Sequence, residues 1–145
     1  MKTLFPLFAL CLVLFLSSGC GNDDDGGPDP GVLRITLTWQ EAGTDLDLVI
    51  QSTAGLYGPA EGTPSDTDIT VSADDLSGPG EEFVNWQANA PDGVYTVSVD
   101  NLEFEDVDYT LRIKSAGTDR TFEETVDDFE TNTITFTKTG TTLTF

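Results

Sequence analysis

Leu33-Arg34-Ile35-Thr36-Leu37-Thr38-Trp39 sets the pattern for most of the chain: large apolar side chains alternate with polar ones without interruption. A two-residue period places Leu33, Ile35, Leu37 and Trp39 on one face and Arg34, Thr36 and Thr38 on the other, as in a strand with one buried face. The same period returns where Leu46, Leu48 and Ile50 alternate with Asp45, Asp47 and Val49. It appears again in Tyr95, Val97 and Val99, in Tyr109, Leu111 and Ile113, in Ile134 and Phe136, and in Leu143 and Phe145. Ile69 with Val71, and Phe83 to Trp86, supply two weaker strands. Gly58-Pro59, Gly78-Pro79-Gly80, Pro91-Asp92-Gly93 and Gly140 punctuate the runs, and Ala54-Gly55-Leu56-Tyr57 is a looser turn signal around Gly55. About eight short strands at this spacing, rich in threonine and valine, predict an all-β fold: a jelly-roll-like sandwich of antiparallel strands over residues 32–145. Trp39 and Tyr95 fall in phase with the aliphatic residues and are assigned to its core.

One stretch fits two periods. Phe122, Val126 and Phe129 stand at helical spacing, whereas Phe122, Glu124 and Val126 also suit a strand. Strand-like neighbours favour a hairpin from Arg120 to Lys138, with Asp127–Thr131 near its turn; a short helix is the alternative.

Residues 1–31 have a different character. Lys2 precedes an apolar run from Leu4 to Leu16, too short for the roughly 20 residues that span a bilayer, and the small residues Ser17, Ser18 and Gly19 follow. This is the layout of a secretory signal peptide cut before Cys20. The segment Leu16-Ser17-Ser18-Gly19-Cys20 resembles a lipobox, although Ser17 holds the place usually taken by a large aliphatic residue. The only other cysteine, Cys11, leaves with the leader, and a lone thiol is uncommon in an oxidising compartment, so a lipid on Cys20 explains it. Gly21 to Gly31, with Asp23-Asp24-Asp25 at its centre, has nothing to bury and predicts a tether with an r.m.s. reach of roughly 15–20 Å. Its acidic run resembles the surface-export signal of lipoproteins in Bacteroidetes-type bacteria; a plain soluble spacer is the other reading. The expected place is thus the bacterial cell envelope, anchored in the outer membrane, with surface exposure a further option.

The net charge is −20, and losing Lys2 with the leader makes it one unit more negative. Such a charge opposes nucleic acid and anionic head groups and favours cations or basic partners. The chain has no histidine, which removes the usual general base, the Ser–His and Cys–His pairs, and most zinc and copper sites.

Three segments carry a family resemblance: Trp39 to Ile50 with Asp45-Leu46-Asp47-Leu48 inside it, Gly78-Pro79-Gly80-Glu81-Glu82-Phe83-Val84-Asn85-Trp86, and Pro91-Asp92-Gly93-Val94-Tyr95-Thr96-Val97. In their order and spacing they are similar to the YfaP-like domain of exported bacterial proteins, with pre-peptidase C-terminal domains as looser relatives. The loop around Pro79 is one residue longer than in that family. The resemblance covers Gly31 to about Lys114 and implies an extracytoplasmic β-sandwich, often an accessory module, without an activity.

Asp45 and Asp47 project from one face of their strand about 7 Å apart, where they repel unless solvated or bridged by a cation. Ca²⁺ takes six to eight oxygens, so Glu81 and Glu82, with Asp66 and Asp68, are the further candidates; a solvated acidic face is the alternative. Trp86 and Tyr57 lie near loops and are candidates for an aromatic platform that takes a glycan or a peptide, against packing in the core. The function expected is therefore a non-enzymatic, lipid-anchored binding or accessory module, with Ca²⁺ as its candidate cofactor and a glycan or envelope protein as partner. A structural subunit of an envelope complex is the alternative, and a small hydrolase built on a carboxylate pair is a third. Intact mass of the mature protein is expected to exceed that of polypeptide 20–145 by its acyl groups; an unmodified Cys20 would overturn the anchor.

Overall fold

A computed structural model describes residues 33–61, 65, 68–88 and 90–145. The leader, Cys20, the acidic tether and Asp66 lie outside the described residues. Strand β1, Leu33–Trp39, is where the alternation is strictest, and it occupies the middle of a five-stranded sheet. Its inward side chains are all buried, so both edges are free to pair along the full length. On one side it pairs with β5, Gly80–Trp86, and on the other with β7, Val107–Ser115, in each case over all seven residues. The sheet is completed at its edges by β4, Ile69–Val71, and β8, Thr118–Val126.

The second five-stranded sheet centres on β6, Gly93–Asn101, flanked by β2, Leu46–Ser52, and β9, Thr131–Thr139. Its edges are β3, Gly55–Tyr57, and β10, Thr142–Thr144. All pairings in both sheets are antiparallel. The inward faces close on each other as a β-sandwich, with Leu33, Ile35, Leu37 and Trp39 of one sheet and Leu46, Leu48, Ile50, Tyr95, Val97 and Val99 of the other in one buried cluster. Trp39 and Tyr95 are core residues, as their phase requires.

Among the described residues the strands number ten instead of about eight, and two local expectations are corrected. The turn near Gly55 is at Thr53 and Ala54; Ser52 pairs with Gly55, so Gly55–Tyr57 folds back as an edge strand instead of forming the turn. Arg120 to Lys138 contains two strands, and no helix, but they are not a hairpin. β8 pairs with β7 through the tight Ala116-Gly117 turn, whereas β9 pairs with β6 in the other sheet. The chain crosses between sheets at residues 127–130, and alternation alone is the same for a hairpin and for a crossing.

The strand ends define two ends of the sandwich. The connections 40–45, 72–79, 102–106 and 127–130 gather at the upper end, while Leu33, Trp86, Gly93 and Ser115 lie at the lower end. Trp39 seals the upper end. Its indole N–H donates to the Thr44 carbonyl at 3.2 Å, and the Thr44 hydroxyl donates to the Glu41 carbonyl at 2.8 Å, which shapes the turn into β2. Gly78 and Gly80 lie against the same ring. A Cβ at Gly80 would overlap the benzene edge of Trp39, and at Gly78 it would meet the indole nitrogen and the Glu41 carbonyl in a backbone already at φ +32°.

Gly80→Ala forces the buried Trp39 out of its place and is expected to destabilise the protein by about 3 kcal/mol, measured by urea unfolding. A change below about 0.5 kcal/mol would show that the ring is not tightly held.

Candidate functional site

The turn set by Trp39 delivers Asp45 to the start of β2, and the amide of Gly43 donates to the Ser77 carbonyl, tying this turn to the loop that carries Asp74. One carboxylate oxygen from each of Asp45, Asp47 and Asp74 lies within 4.8 Å of the other two. Asp45 and Asp47 are the pair anticipated on one face of β2. Asp74 sits between two weak strands, so no periodicity marks it. Its one sequence signal is indirect: the loop ends in Gly78-Pro79-Gly80, and glycines there permit close approach to a neighbouring ring.

Glu82 is central, but in a different role from the ligand expected of it. Its side chain points inward from β5 and is 0% exposed. One oxygen accepts the Leu48 amide at 2.8 Å and the other accepts the Asp75 amide at 3.3 Å. Leu48 follows Asp47 and Asp75 follows Asp74, so this carboxylate holds the backbones that carry two of the three acidic groups. It also satisfies an amide of β2 beyond the end of the short edge strand β3, linking the two sheets. Glu81 is corrected outright. It alternates to the outer face of β5, exposed, and its carboxylate lies 3.6 Å from Arg34. Asp68 is exposed beside β4 and is not part of the triad.

The electrostatics of the cluster are unfavourable in the absence of a cation. Burial, followed by Asp74 and Glu103, raises the pKa of Asp45. Burial and then Asp45 lift Asp47 to about 6. Burial lifts Glu82 to about 7, against the lowering effect of the two amides it accepts. One oxygen of Asp45 is buried with no hydrogen-bond partner among the described residues. A divalent cation would relieve all of these at once, since it supplies positive charge and a partner for the orphaned oxygen. Proton transfer to a substrate needs contact at hydrogen-bond distance, and the fully buried Glu82 offers none.

The aromatic candidates separate. Trp86 is 1% exposed and belongs to the core, edge-on to Tyr57 at 5.1 Å and to Tyr95 at 5.9 Å. Tyr57 is half-buried, and the two rings line a cavity of about 420 Å³ with Leu56, Ile69 and Pro91. They are a wall of packed rings and not an exposed platform.

A carboxyl whose folded pKa is raised stabilises the fold most below its unfolded pKa and loses that contribution as pH rises through the folded value. For Glu82 the window runs from about 4.5 to about 7. In chelator, Glu82→Gln is therefore expected to gain stability relative to the unsubstituted protein between pH 5 and pH 8, by on the order of 2 kcal/mol in urea unfolding. A difference that does not change with pH would refute the assignment.

Among known proteins, no family model, curated protein or solved structure matches this chain.

Proposed function

We propose that the protein is a non-enzymatic binding or accessory module of the bacterial cell envelope, held to the membrane by a lipid on Cys20 and steadied by Ca²⁺ at Asp45, Asp47 and Asp74. The observation that carries the metal site is the convergence of one carboxylate oxygen from each of three residues within 4.8 Å of one another, one of those residues, Asp45, also having a buried oxygen without a partner among the described residues. Three carboxylates give a hard, oxygen-only donor set, and water or loop carbonyls complete the six to eight positions that Ca²⁺ takes.

Charge distribution supports the orientation. The five lysine and arginine residues of the described chain, Arg34, Arg112, Lys114, Arg120 and Lys138, lie at or beyond mid-strand toward the lower end. The four upper connections hold ten acidic residues and no basic one. Strand β1 begins at the lower end, so a domain anchored through its N-terminus turns its less acidic half to the membrane and its acidic end away from it. The outward acidic end is where a partner of the module would be met.

Ca²⁺ at 100 times its Kd stabilises by about 2.7 kcal/mol, which corresponds to roughly 10 °C in the melting temperature of a domain this size. Residues 31–145 hold the described core, so melting that fragment in Ca²⁺ and in chelator tests the site. Asp74→Asn is expected to abolish the Ca²⁺ shift while raising the melting temperature in chelator, because it removes one of three repelling charges. Identical melting of the unsubstituted protein in Ca²⁺ and in chelator would sink the metal site.

A further inference from the structure

Two aromatic rings stand outside the core at the upper end. Phe104, in the β6–β7 connection, is 85% exposed, and Phe129, in the crossing from β8 to β9, is 54% exposed. They meet edge to face with centroids 4.5 Å apart and planes at 90°. Leu102, half-exposed, stands two residues from Phe104.

The pair is held, not loose. The buried Asn101 amide donates to the carbonyls of Glu105 at 2.8 Å and Asp127 at 3.0 Å, and its oxygen accepts the Glu103 amide at 2.9 Å. The Phe129 amide donates to the Glu103 carbonyl at 3.3 Å, which joins the two loops directly. Phe129 itself has φ +52°, a left-handed conformation that side-chain-bearing residues rarely adopt. A backbone is kept there only when its surroundings over-determine it, and here the result is a phenylalanine in contact with another and exposed to solvent.

Around the pair, Glu103, Glu105, Asp106, Asp127, Asp128 and Glu130 form the two loops, with no basic residue among them. This ring selects the occupant. A second copy would bring like charges together, and an anionic bilayer would do the same. An arginine or lysine next to apolar side chains satisfies both features: the cation meets the carboxylates and the ring faces, and the apolar groups cover the phenylalanines.

We propose that the Phe104–Phe129 tip is a docking point for a protein segment that presents cationic side chains interleaved with apolar ones. The rings are no part of the Asp45, Asp47 and Asp74 cluster, but the loops adjoin, since the Leu102 amide donates to the Asp45 carbonyl at 3.3 Å. Binding is therefore measured both in Ca²⁺ and in chelator, and is expected in both.

The test uses the full chain in nanodiscs of zwitterionic phospholipid, with empty discs as control, and fluorescence anisotropy of labelled twelve-residue peptides. A peptide of alternating Arg and Leu is expected to bind at least tenfold more tightly than dodecalysine, and one of alternating Glu and Leu is expected not to bind. The double variant F104S/F129G removes two exposed rings and places glycine at the left-handed position, so its melting temperature should not fall. It is expected to lose at least tenfold in affinity for the Arg–Leu peptide. E105K/D128K, which keeps the rings and reverses charge, is expected to lose a similar factor. Equal binding by F104S/F129G and the unsubstituted protein would overturn the proposal, as would equal binding of the Arg–Leu peptide and dodecalysine. Flotation of the nanodisc-held protein with anionic vesicles, abolished by F104S/F129G, would overturn it in favour of a bilayer.

Discussion

The indole of Trp39 is the constraint on which the upper end depends. It lies at the last position of the central strand, fully paired on both sides, so its place is set by two sheet ladders and not by the loops around it. The loops adapt to the ring instead. One turns beneath its N–H so that Thr44 can accept the bond, and another passes over it on Gly78 and Gly80, where a side chain would collide. Asp45 and Asp74 are carried by these two loops. Three carboxylates that repel one another are thus assembled by packing, since no attraction between them would bring them together.

That assembly sets the energetics of the site. The protein keeps an acidic residue, Glu82, entirely inside the sandwich, and its two oxygens are occupied by amides from β2 and from the Asp74 loop. The hydrogen bonds favour the ionised form, while burial and the neighbouring aspartates oppose it, and opposition prevails because the pKa rises. A buried carboxylate that organises the backbone of three clustered aspartates while opposing its own charge leaves the cluster electrostatically poor without a cation. A cation bound there, as proposed, would gain twice, from metal–oxygen contacts and from relief of repulsion that the fold already imposes.

Charge polarity extends this logic to the whole domain. Lys138 is buried and paired with Asp92 at 2.9 Å, and Arg112 is paired with Asp119 at 2.7 Å, both in the lower half. The exposed Arg112–Asp119 pair contributes little to stability, whereas Asp92 compensates a buried Lys138 ammonium; what both share is their position. With the basic residues drawn toward the lower half, the upper loops have no internal counter-charge. An acidic end without counter-ions of its own is a surface that selects cations, small or macromolecular.

How much of this was legible in the sequence follows from what periodicity measures. It reports which face of a strand is buried, so the all-β class, the core positions of Trp39 and Tyr95, and the shared face of Asp45 and Asp47 were all readable. It does not report which strand lies beside which. Phe122 to Phe136 shows the same alternation whether β8 and β9 pair or part, and only the pairing of β8 with β7 and of β9 with β6 reveals that they part, with Asn101 bonding the backbone at the crossing. It is equally silent about ends. Asp74 and Phe104 lie in connections with no period, and what brings them into sites is the convergence of loops from strands distant in sequence. Glu81 and Glu82 show the boundary case: adjacency in sequence made them equal candidates, and the pleat of β5 sent one outward to Arg34 and the other inward to the amides. A strand pattern can therefore nominate a carboxylate face, but the third carboxylate of a loop-built cluster becomes visible only once the ring beneath the loops is in place.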